Sequence, residues 1–208
     1  MTATARAEIL TRIRAAQAAE PADVTIPRDY HGPGTLPVTG ASDLLVERLQ
    51  DYGAIVRRCS AQQVPLAIAE VLEAHGARRI VTPIGLPSGW ADAVPEPVPE
   101  AGRLATPDLD AADGALTSVT VAIAQTGTLV LDQRPGQGQR SLTLVPDLHV
   151  AVVAADRIIA AVPDAVAAVD PSRPQTWISG PSATSDIELN RVEGVHGPRT
   201  LVVIVIDA

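Results

Sequence analysis

The sequence predicts a three-layer α/β/α fold with a mixed, mostly parallel β-sheet. Helix-like segments alternate with short apolar runs along the chain, which is typical of α/β domains. Residues 200–206 are apolar at nearly every position, as expected for a central strand that is covered on both faces. Residues 116–131 show alternating β patterns, which predict some antiparallel pairing in the middle of the chain.

Periodicity and capping residues predict the elements of the first half. An amphipathic helix over residues 3–19 either packs on the domain or reaches towards a partner subunit. Ser42 is a candidate N-cap for a helix over residues 43–51, and Pro65 lies in the first turn of a helix that ends at His75. The remaining predictions are strands at 54–57 and 79–81, a Pro-rich loop at 83–100 and a short helix or turn at 110–113.

The second half is richer in β patterns. The alternation from Leu116 to Ala124 predicts one strand, and residues 150–153 and 157–159 flank a short turn that predicts a hairpin. Pro163 begins a short helix. Further strands are expected at 128–131, 176–179 and 200–206, with a helix at 184–192.

Chain length, net charge and the length of the apolar stretches limit the classes of function. A chain of 208 residues favours a single domain over residues 1–208, with an N-terminal helix and Pro/Gly-rich arm in 1–40 and the sheet core in 41–208. A net charge of −8 argues against binding to nucleic acids or anionic membranes. No stretch approaches the about 18 apolar residues of a membrane span, so we expect a cytoplasmic protein.

Residue types that are rare or missing exclude particular chemistries. Lysine is absent, which excludes a Schiff-base lysine and a P-loop. Cys59 is the only cysteine, so the chain alone cannot form a disulfide, a Cys-rich zinc site or an iron–sulfur cluster. No spacing typical of metal ligands is present. We therefore assign no metal and no bound cofactor to this chain.

The strongest candidate site is a strand–loop–helix segment at residues 178–188. Its turn consists of Ser179, Gly180, Pro181 and Ser182. Free N–H groups at a helix start bind phosphate or carboxylate, and open α/β sheets bind ligands at the carboxyl ends of their strands. Helix capping by Ser182 or Thr184, with Asp186 and Glu188 near the positive end of the helix dipole, explains the same residues. Both interpretations stay open.

Two loops and two histidines are further candidates. Gln125, Thr126, Gly127 and Thr128 form either a binding loop or a hairpin turn. Arg134 and Arg140 flank a Gly-rich loop that either clamps an anion or is a solvated surface loop. His149 precedes a strand, and His196 lies in a glycine-flanked loop. The catalytic candidates are His149, Asp186, Glu188 and His196, and these residues leave open whether the chain is an enzyme.

The order of these segments resembles the lactate-utilization protein C (LUD-domain) family. The matching stretches are residues 121–131, 144–150, 178–188 and 194–198. The resemblance implies a fold similar to sugar-phosphate isomerases and CoA transferases. It also implies a role in oxidising L-lactate to pyruvate together with iron–sulfur partner proteins. The iron–sulfur clusters would have to be in those partners, because this chain has only one cysteine.

One position departs from the family pattern. The family usually has Glu where this chain has Gln125, and Gln can hydrogen-bond but cannot act as a base. We expect a non-redox component of a lactate-oxidising system that binds a small anionic ligand. Two alternatives remain. The protein could be an independent CoA-transferase-like or isomerase-like enzyme that acts on a small anionic metabolite, or it could be a scaffold or regulatory subunit. Homo-oligomerisation stays open.

Overall fold

The computed structural model describes residues 3–18, 25–30, 32–34, 37–100, 102–184, 192–194 and 196–207. The chain divides into two compact units, residues 1–31 and residues 32–208. The first unit contains the predicted N-terminal helix α1 (Ala3–Gln17). Its apolar residues Ile9, Leu10 and Ile13 are exposed.

The second unit contains four helices and twelve strands among the described residues. The helices are α2 (Val38–Asp51), α3 (Val64–Ala74), α4 (Thr106–Asp110) and α5 (Val162–Ala168). The strands are β1 (Ile55–Cys59), β2 (Arg79–Pro83), β3 (Glu96–Glu100), β4 (Gly114–Ser118), β5 (Val121–Ile123), β6 (Thr128–Leu131), β7 (Leu148–Ala154), β8 (Ile158–Ile159), β9 (Thr176–Ile178), β10 (Ala183–Thr184), β11 (Val192–Glu193) and β12 (Thr200–Ile206).

The strands form one large sheet and two small ones. Six strands make a parallel sheet in the order β1-β12-β7-β4-β2-β3. A four-stranded sheet has the order β8-β5-β6-β9, and its β5–β6 and β6–β9 pairs are antiparallel. β10 and β11 form a two-stranded antiparallel pair. The predicted α/β class with a mainly parallel central sheet is confirmed, and the antiparallel pairs lie in the smaller sheets.

Both faces of the parallel sheet are buried. One face packs against α2 and the four-stranded sheet in a cluster that includes Leu45, Leu49, Leu129, Ala151 and Val203. The opposite face packs against α3 in a cluster that includes Ile68, Leu72, Val150 and Ile204. Successive residues of β12 thus alternate between two apolar clusters, which explains why its sequence is apolar on both faces.

Two β predictions were wrong about pairing. The alternating run from Leu116 to Ala124 is divided between β4 and β5, which belong to different sheets. The predicted hairpin at residues 150–159 does not form, because β7 pairs with β12 and β4 whereas β8 pairs with β5. A short connection between two strands was compatible with a hairpin, but it also allows the chain to pass from one sheet to the next.

Three further elements differ from prediction. The Pro-rich segment at 83–100 contains strand β3, and α2 begins at Val38, so that Ser42 lies inside the helix. The expected helix at 184–192 is wrong at both ends, because Thr184 and Val192 pair as antiparallel strands. Residues 185–191 lie outside the described residues. No helix in the described part of the chain is long and apolar enough to cross a membrane.

Candidate functional site

Two glycine loops converge on the C-terminal end of α2. Gly127 has a φ of 60°, and a Cβ atom there would lie 2.9 Å from Cβ of Arg48. Gly180 has a φ of 83°, and its Cβ would lie 2.8 Å from Cβ of Tyr52. Only glycine fits such close contacts in a left-handed backbone. The two loops predicted from separate parts of the sequence therefore pack against one helix end.

A chain of hydroxyl groups links the same two loops. Thr126 Oγ1 lies 2.7 Å from Thr128 Oγ1, which lies 2.8 Å from Ser179 Oγ. The antiparallel register of β6 and β9 places Thr128 beside Ser179, because the next residues, Leu129 and Ile178, are paired. Gln125 is exposed, and its backbone N–H donates to the carbonyl of Ala160 at 3.1 Å. The arrangement brings three predicted polar residues together, of which Ser179 is exposed and Thr128 is buried.

Ser182 holds the glycine-flanked loop that carries His196. Its hydroxyl accepts a hydrogen bond from the backbone N–H of His196 at 3.1 Å. Its backbone donates to Pro198 at 2.9 Å and accepts from Gly194 at 3.0 Å. These three bonds position His196, which is exposed. Ser182 thus has a positioning role, and we name the arrangement of Ser182 with Gly194, His196 and Pro198 the serine clasp.

The predicted helix does not begin at Thr184. Thr184 lies in β10 and pairs with Val192, and Asp186 and Glu188 lie outside the described residues. Ser179 and Pro181 follow β9, which belongs to the four-stranded sheet and pairs antiparallel with β6. The rule about carboxyl ends of parallel strands therefore does not apply to this segment.

His149 is a buried residue of the parallel sheet. It is 1% exposed, and its Nε2 atom lies 2.8 Å from Oγ1 of Thr117. Burial disfavours the charged imidazolium and lowers the pKa of His149 to about 4. At neutral pH the ring is uncharged, so it acts in the sheet as a polar core residue that is satisfied by Thr117.

We expect His149 to make the protein lose stability as the pH falls from 6.5 towards 4. The unfolded chain binds a proton near the ordinary histidine value of about 6.5, whereas the folded protein resists protonation until about pH 4. The difference amounts to about 3 kcal/mol at pH 4. Urea unfolding from pH 4 to 8 should show this loss in the wild type relative to His149→Gln, which does not titrate. If the free energies of unfolding of the two proteins change with pH in the same way, the folded protein does not lower the pKa of His149.

In the described part of the chain, Arg140 shares its cavity with none of the other predicted binding residues. It lines a cavity of about 620 Å³ together with Glu100 and Arg103. Burial raises the pKa of the Glu100 carboxyl, although a hydrogen bond from the backbone of Gln139 opposes this. Arg134 lines a different cavity. The two arginines of this loop therefore do not form one clamp.

Sequence reasoning missed a buried polar cluster around Asp132. Asp132 is fully buried, accepts a hydrogen bond from Thr120 at 2.7 Å and is paired with Arg134 at 2.7 Å. Gln137 donates to Thr120 at 2.7 Å and accepts from the backbone N–H of Asp132 at 2.8 Å. The sequence did contain one signal of this cluster, because the charged residue Asp132 directly follows the apolar strand β6. A charge buried beside such a strand requires polar partners.

Comparisons with known proteins agree with this architecture. The LUD domain family model matches residues 42–206. The chain is 44% identical to Lactate utilization protein C of Deinococcus radiodurans, over 99% of this chain and 97% of that protein. It is 30% identical to Lactate utilization protein C of an Exiguobacterium species, over 99% and 98% of the two chains.

A solved structure has the same fold. The crystal structure of a DUF162 family protein from Deinococcus radiodurans superposes with a TM-score of 0.69 and 36% identity, covering 83% of this chain and all of that one. The family match includes the parallel sheet, the glycine loops and the serine clasp. The chain belongs to the LUD domain family.

Proposed function

We propose that the protein is a non-redox component of an L-lactate utilization system, in which lactate is oxidised to pyruvate by iron–sulfur partner proteins. The supporting observation is its 44% identity over nearly its whole length to a protein named Lactate utilization protein C. With a single cysteine, Cys59, the chain cannot by itself hold an iron–sulfur cluster through four thiolates. The redox centres accordingly belong to the partners, in the cytoplasm.

The proposed working surface comprises the glycine loops and the serine clasp. It contains Gln125, Thr126, Gly127, Thr128, Ser179, Gly180, Pro181, Ser182, Thr184 and His196. Hydroxyl groups and an exposed imidazole suit contact with a small anionic ligand such as a carboxylate, or with a partner protein. Gln125 hydrogen-bonds but does not titrate, which favours binding over acid–base catalysis at this position.

Co-purification tests this role. We expect the tagged protein, expressed with the iron–sulfur proteins of the proposed lactate-utilization system, to retain those proteins on an affinity column. His196→Ala should weaken retention about tenfold, because it removes an exposed ring while the backbone N–H of residue 196 still bonds Ser182. His75→Ala is the matched control, since His75 lies at the end of α3. Equal retention by both variants contradicts the proposed surface, and no retention by the wild type contradicts a stable complex.

A further inference from the structure

A second cavity lies at the carboxyl edge of the parallel sheet, and none of its lining residues belongs to the surface proposed above. It has a volume of about 410 Å³ and is lined by residues that end or follow four strands: Gly85, Ser118, Ala154 and Ile206. This is the edge at which open parallel sheets bind their ligands. The volume falls within the range of pockets that hold small molecules.

Two arginines supply hydrogen-bond donors to the cavity. Arg134 and Arg157 line it, and no carboxylate does so among the described lining residues. Nε of Arg134 donates to Asp132, and its terminal nitrogens have no hydrogen-bond partner in the described part of the chain. Within the described residues, the one ion pair of Arg157 is with Asp156, at 3.7 Å. Guanidinium groups with free terminal nitrogens bind carboxylate or phosphate through paired hydrogen bonds.

The buried Asp132 cluster positions Arg134 in this cavity. Asp132 also lies 3.6 Å from Arg173, so one carboxylate is shared by two guanidinium groups. Thr120 and Gln137 are 4% and 3% exposed, line the cavity and hydrogen-bond each other. Asp170 also interacts electrostatically with Arg173 and Arg134, so what Arg134 offers an anionic ligand is the hydrogen bonds of its free terminal nitrogens and not an unbalanced charge.

The remaining wall is apolar. Trp90 is 8% exposed and lines the cavity together with Val119 and Val152. A large aromatic ring beside guanidinium groups suits a ligand that has both an apolar part and an acidic group. Inorganic anions alone would leave this wall without contacts.

We propose that this cavity is a binding site for a small organic anion. Arg134 and Arg157 bind its carboxylate or phosphate, and its apolar part lies against Trp90. Asp132, which does not line the cavity, holds Arg134 in place. This inference does not depend on the proposed role in lactate oxidation.

The fluorescence of Trp90 measures binding directly. Trp177→Phe leaves Trp90 as the only tryptophan, and this protein is titrated separately with L-lactate, pyruvate, phenyl phosphate and inorganic phosphate. We expect a saturable change with at least one organic anion, at concentrations at least tenfold below any response to inorganic phosphate. The carboxylate and phosphate probes identify the preferred acidic group.

A pair of charge-matched variants locates the site. Added to Trp177→Phe, Arg157→Gln should weaken binding at least tenfold. Arg78→Gln removes the same charge from an exposed pair with Glu96 and should leave binding unchanged. No saturable response to any probe, or equal weakening by both variants, overturns the inference. Binding here, together with an unchanged rate of L-lactate oxidation in cells that lack the gene, would refute the proposed function and leave this inference standing.

Discussion

Replacing Asp132 with Ala is expected to lower the free energy of unfolding by about 3 kcal/mol. The carboxylate is fully buried and accepts from Thr120, while its backbone N–H bonds Gln137. Its loss leaves the buried hydroxyl of Thr120 with one partner fewer and removes the charge that Arg134 and Arg173 share. Breaking a buried ion pair by removing one partner typically costs 3–5 kcal/mol, and the partial exposure of both arginines reduces this figure.

Urea unfolding of Asp132→Ala measures this effect, with Asp156→Ala as its control. Asp156 is 74% exposed and lies 3.7 Å from Arg157, and exposed pairs contribute about 0–1 kcal/mol. A loss as small for Asp132→Ala as for Asp156→Ala would mean that the cluster does not stabilise the carboxyl edge of the sheet.

Replacing Gly127 with Ala is expected to cost about 3 kcal/mol. An L-residue in the left-handed region costs about 1–2 kcal/mol. In addition, the new Cβ would lie 2.9 Å from Cβ and 3.0 Å from the backbone carbon of Arg48. Backbone cannot swing aside as a flexible side chain can, so the loop or α2 must shift, at an additional cost of about 1–3 kcal/mol.

Gly76→Ala is the matched control for the contact with α2. Gly76 has a φ of 62°, and nothing lies within 4 Å of its hypothetical Cβ. Its variant should therefore lose only the conformational part, about 1 kcal/mol. The measurement is the free energy of unfolding of the two variants in urea. Equal decreases in the two variants would show that the end of α2 moves to accommodate the new Cβ without a loss of stability.

The fold was predictable where the local sequence determines the environment of an element. β12 and β6 were located to the residue, because their apolar runs are bounded by polar or turn residues. β3 was missed because Pro97 and Pro99 argue against a strand. It forms at the edge of the sheet, where it pairs only with β2, and an edge strand tolerates prolines whose missing N–H groups face away from its neighbour.

The candidate site was predictable as segments but not as a spatial arrangement. Thr126, Thr128 and Ser179 meet because β6 pairs with β9, and such long-range pairing leaves no local pattern in the sequence. The Asp132 cluster likewise depends on Thr120 and Arg173, which are distant along the chain. The helix expected after Pro181 was inferred from capping residues, which also occur in turns.

A role in lactate utilization is tested most directly by the rate of L-lactate oxidation in cells that lack this gene. Deletion should abolish L-lactate-dependent oxygen consumption, and a plasmid copy of the gene should restore it, while the same cells oxidise succinate at the normal rate. An unchanged rate of L-lactate oxidation in the deletion strain would contradict the proposed function.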